Sequence, residues 1–158
     1  MKTLLAVSVI ILAIIATIMF ARNIAGKNAT PFTFTSHNAT LQAGKQMISL
    51  EIAKDLQSQQ KGLSGRNSLD TNTGMLFVFP NATYQPFWMK DMKFPIDIIF
   101  LQNKKVVTIF DHVPYPVSQS SNLPIYKPEQ PSDMVIELSA GKASSLGIKK
   151  NDTLTISL

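Results

Sequence analysis

The chain has no cysteine among its 158 residues. That excludes disulfides, thiol nucleophiles, thiolate metal sites and lipid attachment at cysteine. Its two histidines, His37 and His112, are far apart in sequence. No His-x-x-x-His or similar spacing exists, which argues against a zinc site. There is no Gly-rich phosphate loop and no paired-carboxylate signature. Gly62-Leu-Ser-Gly-Arg66 superficially matches Gly-x-Ser-x-Gly, but Arg66 takes the last Gly position and the strand-to-helix context is reversed. A Ser64–His112–Asp97 triad has no spacing support. Met75, Met89 and Met92 do not form the dense thioether cluster that copper(I) prefers. No cofactor is expected. The net charge of +5 is spread thinly, with Lys104-Lys105 and Lys149-Lys150 as the densest pairs. Both pairs fall in expected turns, so no nucleic-acid partner is expected.

Long apolar runs are scarce too, and the single one is decisive. Thr3 to Ala21, TLLAVSVIILAIIATIMFA, contains no charge, Gly or Pro. Nineteen residues at about 1.5 Å each make a helix of about 29 Å, the thickness of a bilayer's hydrocarbon core. Residues 1–21 are therefore expected to be a transmembrane anchor or a signal peptide. Signal peptides have shorter apolar regions and a small-x-small exit. Here the exit Met19-Phe-Ala21 puts Met where a small residue belongs, which favours an uncleaved anchor. The flanking positive charges, Lys2 before and Arg22 and Lys27 after, nearly balance. The short N-terminal tail favours the remainder lying outside the cytoplasm. The expected location is the cell membrane, single-pass, or the exterior if the segment is removed.

What remains is enough for one domain with its own core. Residues 22–45, rich in Asn, Ala, Thr and Gly, read as a linker, with Thr33–Thr35 as a stray edge strand. From Met47 the pattern becomes structural. Ile48, Leu50 and Ile52 alternate with Ser49, Glu51 and Ala53, the mark of a half-buried strand. Lys54 to Lys61 suits a short polar helix with Asp55 at its start and Gly62 at its end. Gly74 to Phe79 is apolar on both faces and predicts a central strand stopped by Pro80. Ile96 to Leu101 predicts another strand, turned through Gln102–Lys105 into Val106 to Phe110. Five prolines between Pro114 and Pro131 forbid regular structure. Met134 to Leu138 returns to strand, and Ser139 can cap a helix over Ala140 to Leu146 that Gly147 closes. A last strand alternates Leu154, Ile156 and Leu158. Residues 46–158 are thus expected to be mainly β, a compact sandwich or barrel with two short helices.

Several motifs carry a resemblance. Gly74-Met-Leu-Phe-Val-Phe79, Phe87-Trp-Met-Lys90 and Pro95-Ile-Asp-Ile-Ile-Phe100 resemble the core signature of the prokaryotic family called domain of unknown function 192. Gly62-Leu63 with Arg66, Val135-Ile-Glu-Leu138 with Ala140-Gly141, and Gly147-Ile148 with Asp152 resemble its flanking elements. The resemblance covers residues 47–158. It implies an exported, small, mainly β domain, and it implies no activity. Asp91-Met92 stand where the family has Asn-Thr, and Ser64 stands where it often has Met. Asn151 replaces the Gly of the closing turn, a mild change because Asn tolerates φ > 0.

Four residues are candidates for ligand binding: Arg66, Trp88, Lys90 and Asp97. Asp97 shares a strand face with Ile99 and Leu101, where a carboxylate must be paired or shifted in pKa. Arg66, Lys90 and Lys93 are the cations nearest in sequence or motif. Either Asp97 and a cation grip a polar ligand, or they form a structural ion pair. Trp88, the single Trp, either stacks on a ligand ring or fills the core. Asn-x-Thr sequons begin at Asn28, Asn38, Asn81 and Asn151. The expected function is a non-catalytic envelope module that binds a small ligand or an envelope protein. The alternatives are an enzyme on envelope glycan or peptide using Asp97, Arg66 and Lys90, and a structural subunit recognised through Pro114–Pro131.

Overall fold

The computed structural model describes residues 38–116 and 122–158. The expected anchor, most of the expected linker, Thr33–Thr35 and His37 lie outside the described residues. Among the described residues no helix is long and apolar enough to cross a membrane.

The chain from Asn38 onward is mainly β, as expected. Strands β1 (Asn38–Ala43), β2 (Gln46–Ala53), β3 (Thr73–Thr83), β5 (Ile96–Gln102), β6 (Lys105–Val113), β8 (Ser132–Ser139) and β9 (Thr155–Ser157) form one sheet in the order β6-β5-β8-β3-β2-β1-β9. A separate ribbon pairs β4 (Phe87–Trp88) with β7 (Ile125–Tyr126). Among the described residues there are two short helices, α1 (Leu56–Lys61) and α2 (Lys142–Ser145). β2 and β3 are parallel, whereas the other neighbours are antiparallel. A parallel pair needs a crossover, and residues 54–72 supply it, carrying α1.

The sheet curls until its ends meet. Leu154 N–H donates to the Lys104 carbonyl and Val106 N–H to the Asp152 carbonyl, at 2.9 and 2.8 Å. Lys104 Nζ also donates to the Ile156 carbonyl at 2.9 Å. This contact covers the start of β6, part of an edge that would otherwise invite association. The turn between β5 and β6 is tight: Asn103 and Lys104 both take positive φ, 51° and 65°. Two such residues give a hairpin turn whose twist matches its strands.

One sheet face holds Leu41, Leu50, Leu76, Ile99, Leu101, Ile136 and Ile156. These come from both ends of the strand order, so they meet only because the sheet curls. The other face carries Met75, Phe77, Ile98, Phe100 and Val135 under Leu63, Met89 and Met92 from connecting segments. Phe77, Phe87, Phe100, Phe110 and Tyr126 run across it edge to face, with centroids 5.0–6.0 Å apart. Gly74 sits hemmed in by its neighbouring strands β8 and β2. A Cβ there would lie 2.6 Å from the Glu137 carbonyl oxygen and 2.6 Å from Leu138 Cδ2. Gly74→Ala is expected to destabilise by about 1–3 kcal/mol through overpacking, read from the urea midpoint at unchanged slope.

Four expectations need correction. The Pro114–Pro131 stretch is not without regular structure: Ile125–Tyr126, between Pro124 and Pro128, forms β7 against β4. β1 lies within the stretch read as linker; only Ala39 and Leu41 point inward, too few for a visible alternation. Pro80 does not stop β3, which runs on to Thr83. The register with β8 breaks between Val78 and Thr83, so Pro80 falls where the ladder asks for no N–H. Ser139 ends β8 and does not cap α2. The N-cap position is Gly141, at φ 80°, with no side-chain cap of its own.

Candidate functional site

The missing cap comes from Asp97. On β5 and fully buried, its Oδ1 accepts from His112 N–H at 2.8 Å and Gly141 N–H at 2.9 Å. Its Oδ2 accepts from Ala143 N–H at 2.8 Å. The β5–β6 register shift opposite Asp97 bulges β6 and puts His112 at φ 50°, which turns that N–H inward. Asp97 does share its face with Ile99 and Leu101. Its partners are backbone N–H groups, not Arg66, Lys90 or Lys93. One carboxylate therefore ties β5, the β6 bulge and the start of α2.

The other three candidates lie elsewhere, around a cleft of about 750 Å³ between α1 and the β4–β7 ribbon. Trp88 and Lys90 line it; Arg66 does not, and is paired instead with Glu51. α1 forms because Asp55 caps it: Ser58 N–H donates to Asp55 Oδ1 at 2.9 Å, and Asp55 N–H to Ser58 Oγ at 3.3 Å. The helix buries none of its residues. Leu56, Gln59 and Gln60 face the cleft, and Gln59 Nε2 ties the helix to the Val78 carbonyl at 2.8 Å. The far wall is held by Ser64 Oγ donating to the Lys90 carbonyl at 2.8 Å and Gly65 N–H to the Asp91 carbonyl at 2.9 Å. Trp88 is 58% exposed on the rim and pairs across the ribbon with Ile125. Phe77, Phe79, Phe87 and Met92 make the walls apolar.

The floor holds a residue that the sequence reading did not select. Glu137 of β8 borders the cleft and is only 5% exposed. Its Oε2 is buried with no hydrogen-bond partner. Register explains the position. Glu51, Met75, Glu137 and Ile98 form one row across β2, β3, β8 and β5. The two glutamates are two strands apart, about 10 Å along the sheet. Arg66 reaches Glu51 with both guanidinium nitrogens at 2.6 Å, a bidentate pair. That pairing holds the Glu51 carboxyl below its usual range. Glu137 feels Arg66 only at a distance. Burial pushes its carboxyl up to about 8, and the guanidinium pulls the other way. Arg66→Gln is expected to move the Glu137 midpoint higher still, measured by carbon-13 NMR titration. Gly62, at φ 48°, closes α1 directly over this floor: a Cβ there would stand 3.3 Å from the Phe77 ring and 3.9 Å from Glu137 Oε2.

The cleft can therefore present one neutral carboxyl at pH 7, deep among aromatic side chains. Among the described residues no group of three or more His, Asp or Glu side chains stands together to hold a metal ion. The sequence did carry a signal for Glu137. It interrupts Met134-Val-Ile-Glu-Leu138, a strand otherwise apolar on both faces, as Asp97 interrupts Ile96 to Leu101.

These residues lie within a family match. The DUF192 family model, described as "Uncharacterized ACR", matches residues 39–156. The chain belongs to the DUF192 family. No curated protein matches it. Two solved structures resemble this DUF192 domain. One, from Sinorhizobium meliloti 1021, carries the provisional description of a transcription regulator; it is 27% identical, with a TM-score of 0.64 over 75% of this chain and 91% of that one. The other, from Novosphingobium aromaticivorans DSM 12444, is described as a protein of unknown function; it is 29% identical, with a TM-score of 0.65 over 75% and 83%. Within the DUF192 motif the departure at Asp91-Met92 falls on the cleft itself, since both residues line it. Asp91 takes φ 56°, a conformation that Asp and Asn both tolerate.

Proposed function

We propose that this DUF192 member is a membrane-tethered, extracytoplasmic module that binds a small ligand in the cleft between α1 and the β4–β7 ribbon, without catalysing its conversion. Glu137, at the floor of an apolar cleft with its Oε2 unpartnered, carries this reading. A buried polar group without a partner destabilises a fold by about 1–3 kcal/mol, and native structures retain few such groups. A ligand that pairs with it accounts for its retention. The tether rests on the apolar run Thr3 to Ala21. The non-catalytic part rests on what holds the two residues a nucleophile-and-base reading would need, Ser64 at the cleft and Asp97 on the other face of the sheet. The Ser64 hydroxyl is held by the Lys90 carbonyl, and both oxygens of Asp97 hold backbone N–H groups. Neither is poised as nucleophile or base.

The test is a small-molecule thermal-shift screen of the full-length chain, read together with Trp88 emission. Ligands that raise the melting temperature should also shift Trp88, the single Trp, on the rim of the cleft. Stabilising ligands that leave Trp88 unmoved, or a screen without any hit, would count against the proposal.

A further inference from the structure

We infer that the cleft takes an uncharged ligand with a ring-sized apolar body and one amide group, the amide pairing with the Glu137 carboxyl. The inference rests on the binding reading above and names its ligand class.

The chemistry of the floor narrows the choice. A pure hydrocarbon would fill the aromatic walls of Phe77, Phe79, Phe87 and Trp88 and leave Glu137 Oε2 as it is now, unpartnered. An anion would meet a group that sheds its own charge. An organic cation is the serious competitor, because a buried carboxylate would attract it. The charged groups around the floor decide against it. Arg66, Lys61 and Lys90 stand on the positive side; Glu51, tied to Arg66, and Asp91 stand on the negative side. Even among these cations burial keeps Glu137 mostly protonated, with its midpoint at about 8. At pH 7 that is about ten neutral carboxyls to one ionised. A cationic ligand would have to lose its own hydration and also draw out that proton.

A neutral amide meets neither penalty. A protonated carboxyl offers one O–H donor and one carbonyl acceptor. A carboxamide or lactam offers the complementary C=O and N–H side by side. A trans peptide bond points them in opposite directions and would satisfy one of the two. The rim adds room for a polar substituent: Lys61, Gln60 and Gln85 all border the opening.

Three ring compounds of matched size separate the possibilities: benzamide, benzylamine and toluene. Each is titrated into the full-length chain in lipid nanodiscs at measured free aqueous concentration, between pH 6 and 9.5, with Trp88 emission as the readout. Benzamide should bind at least about tenfold more tightly than the other two at pH 6.5, the factor expected from about one additional hydrogen bond. Its affinity should fall as pH rises through about 8. In Glu137→Gln, whose side-chain amide keeps a donor and an acceptor, benzamide should still bind and its pH dependence should vanish. Glu137→Met should bind benzamide and toluene alike. Toluene matching benzamide in the wild type would overturn the inference and leave the cleft as a binding site. Benzylamine binding best, with affinity rising through pH 8, would overturn it in favour of an organic cation. If no probe moves Trp88 at any pH, the binding reading falls with it.

Discussion

Asp97→Asn is expected to destabilise the domain by about 2–4 kcal/mol, and Asp97→Ala by more. Three backbone N–H groups end on this one carboxylate, at 2.8, 2.9 and 2.8 Å. Asparagine keeps one oxygen, enough for the two N–H groups that share Oδ1. Its NH₂ would then face the Ala143 N–H, donor against donor, and leave a buried N–H unpaired. A hydrogen bond to a charged group contributes about 1.5–3 kcal/mol, and orphaning its buried partner costs about 1–3 kcal/mol. The loss should be local first. Amide exchange at His112 and Ala143 should accelerate before global unfolding, because both are held by a side chain remote in sequence. Asp133→Asn, at an exposed contact to Asn103 N–H, is the control and should change stability by no more than about 1 kcal/mol. Chemical denaturation of the three variants gives the comparison.

Glu137 should make stability fall as pH rises. Its unfolded-state midpoint is that of an ordinary glutamate, 4.5, and its folded midpoint is about 8. Between those values the folded chain holds one more proton than the unfolded chain. The stabilising contribution of the neutral carboxyl is complete below about pH 4.5, shrinks as pH rises, and is gone above about pH 8. At about 1.4 kcal/mol per pH unit, the wild type should lose about 3 kcal/mol more than Glu137→Gln between pH 5 and 7.5. Near pH 5 the two should differ little. At pH 7.5 the variant should be the more stable. Arg66 and Glu51 work in the opposite sense: Arg66 holds the Glu51 carboxyl low, so that pair stabilises above the ordinary glutamate range and weakens as pH falls. Both groups of the pair are partly exposed, so its contribution stays near that of a surface ion pair. Urea unfolding across this pH range, for wild type and Glu137→Gln, measures the difference.

Much of the architecture could be read from the sequence because it rests on local pattern. The alternation around Ile48–Ile52, the apolar run Gly74–Phe79 and the turn at Asn103-Lys104 each follow from a few neighbouring residues. β1 was missed because its two inward residues are too few to alternate. The cap of α2 was misplaced because it comes from Asp97, 46 positions away at Ala143, and no local rule can see that distance. The candidate residues divided for the same reason. Trp88 and Lys90 share a segment and reach the cleft together. Asp97 and Glu137 look alike in sequence, each a carboxylate in an apolar strand. Strand register sends Asp97 to one face of the sheet, where backbone donors wait, and Glu137 to the other, where none do.

The most direct measurement is a carbon-13 NMR titration of the Glu137 side-chain carboxyl in the full-length chain. A single transition near pH 8 is the expected result, for a buried carboxyl at the floor of the cleft with its Oε2 unpartnered. A midpoint in the ordinary glutamate range would contradict it, and with it the reading of the cleft as a site built around a neutral acid.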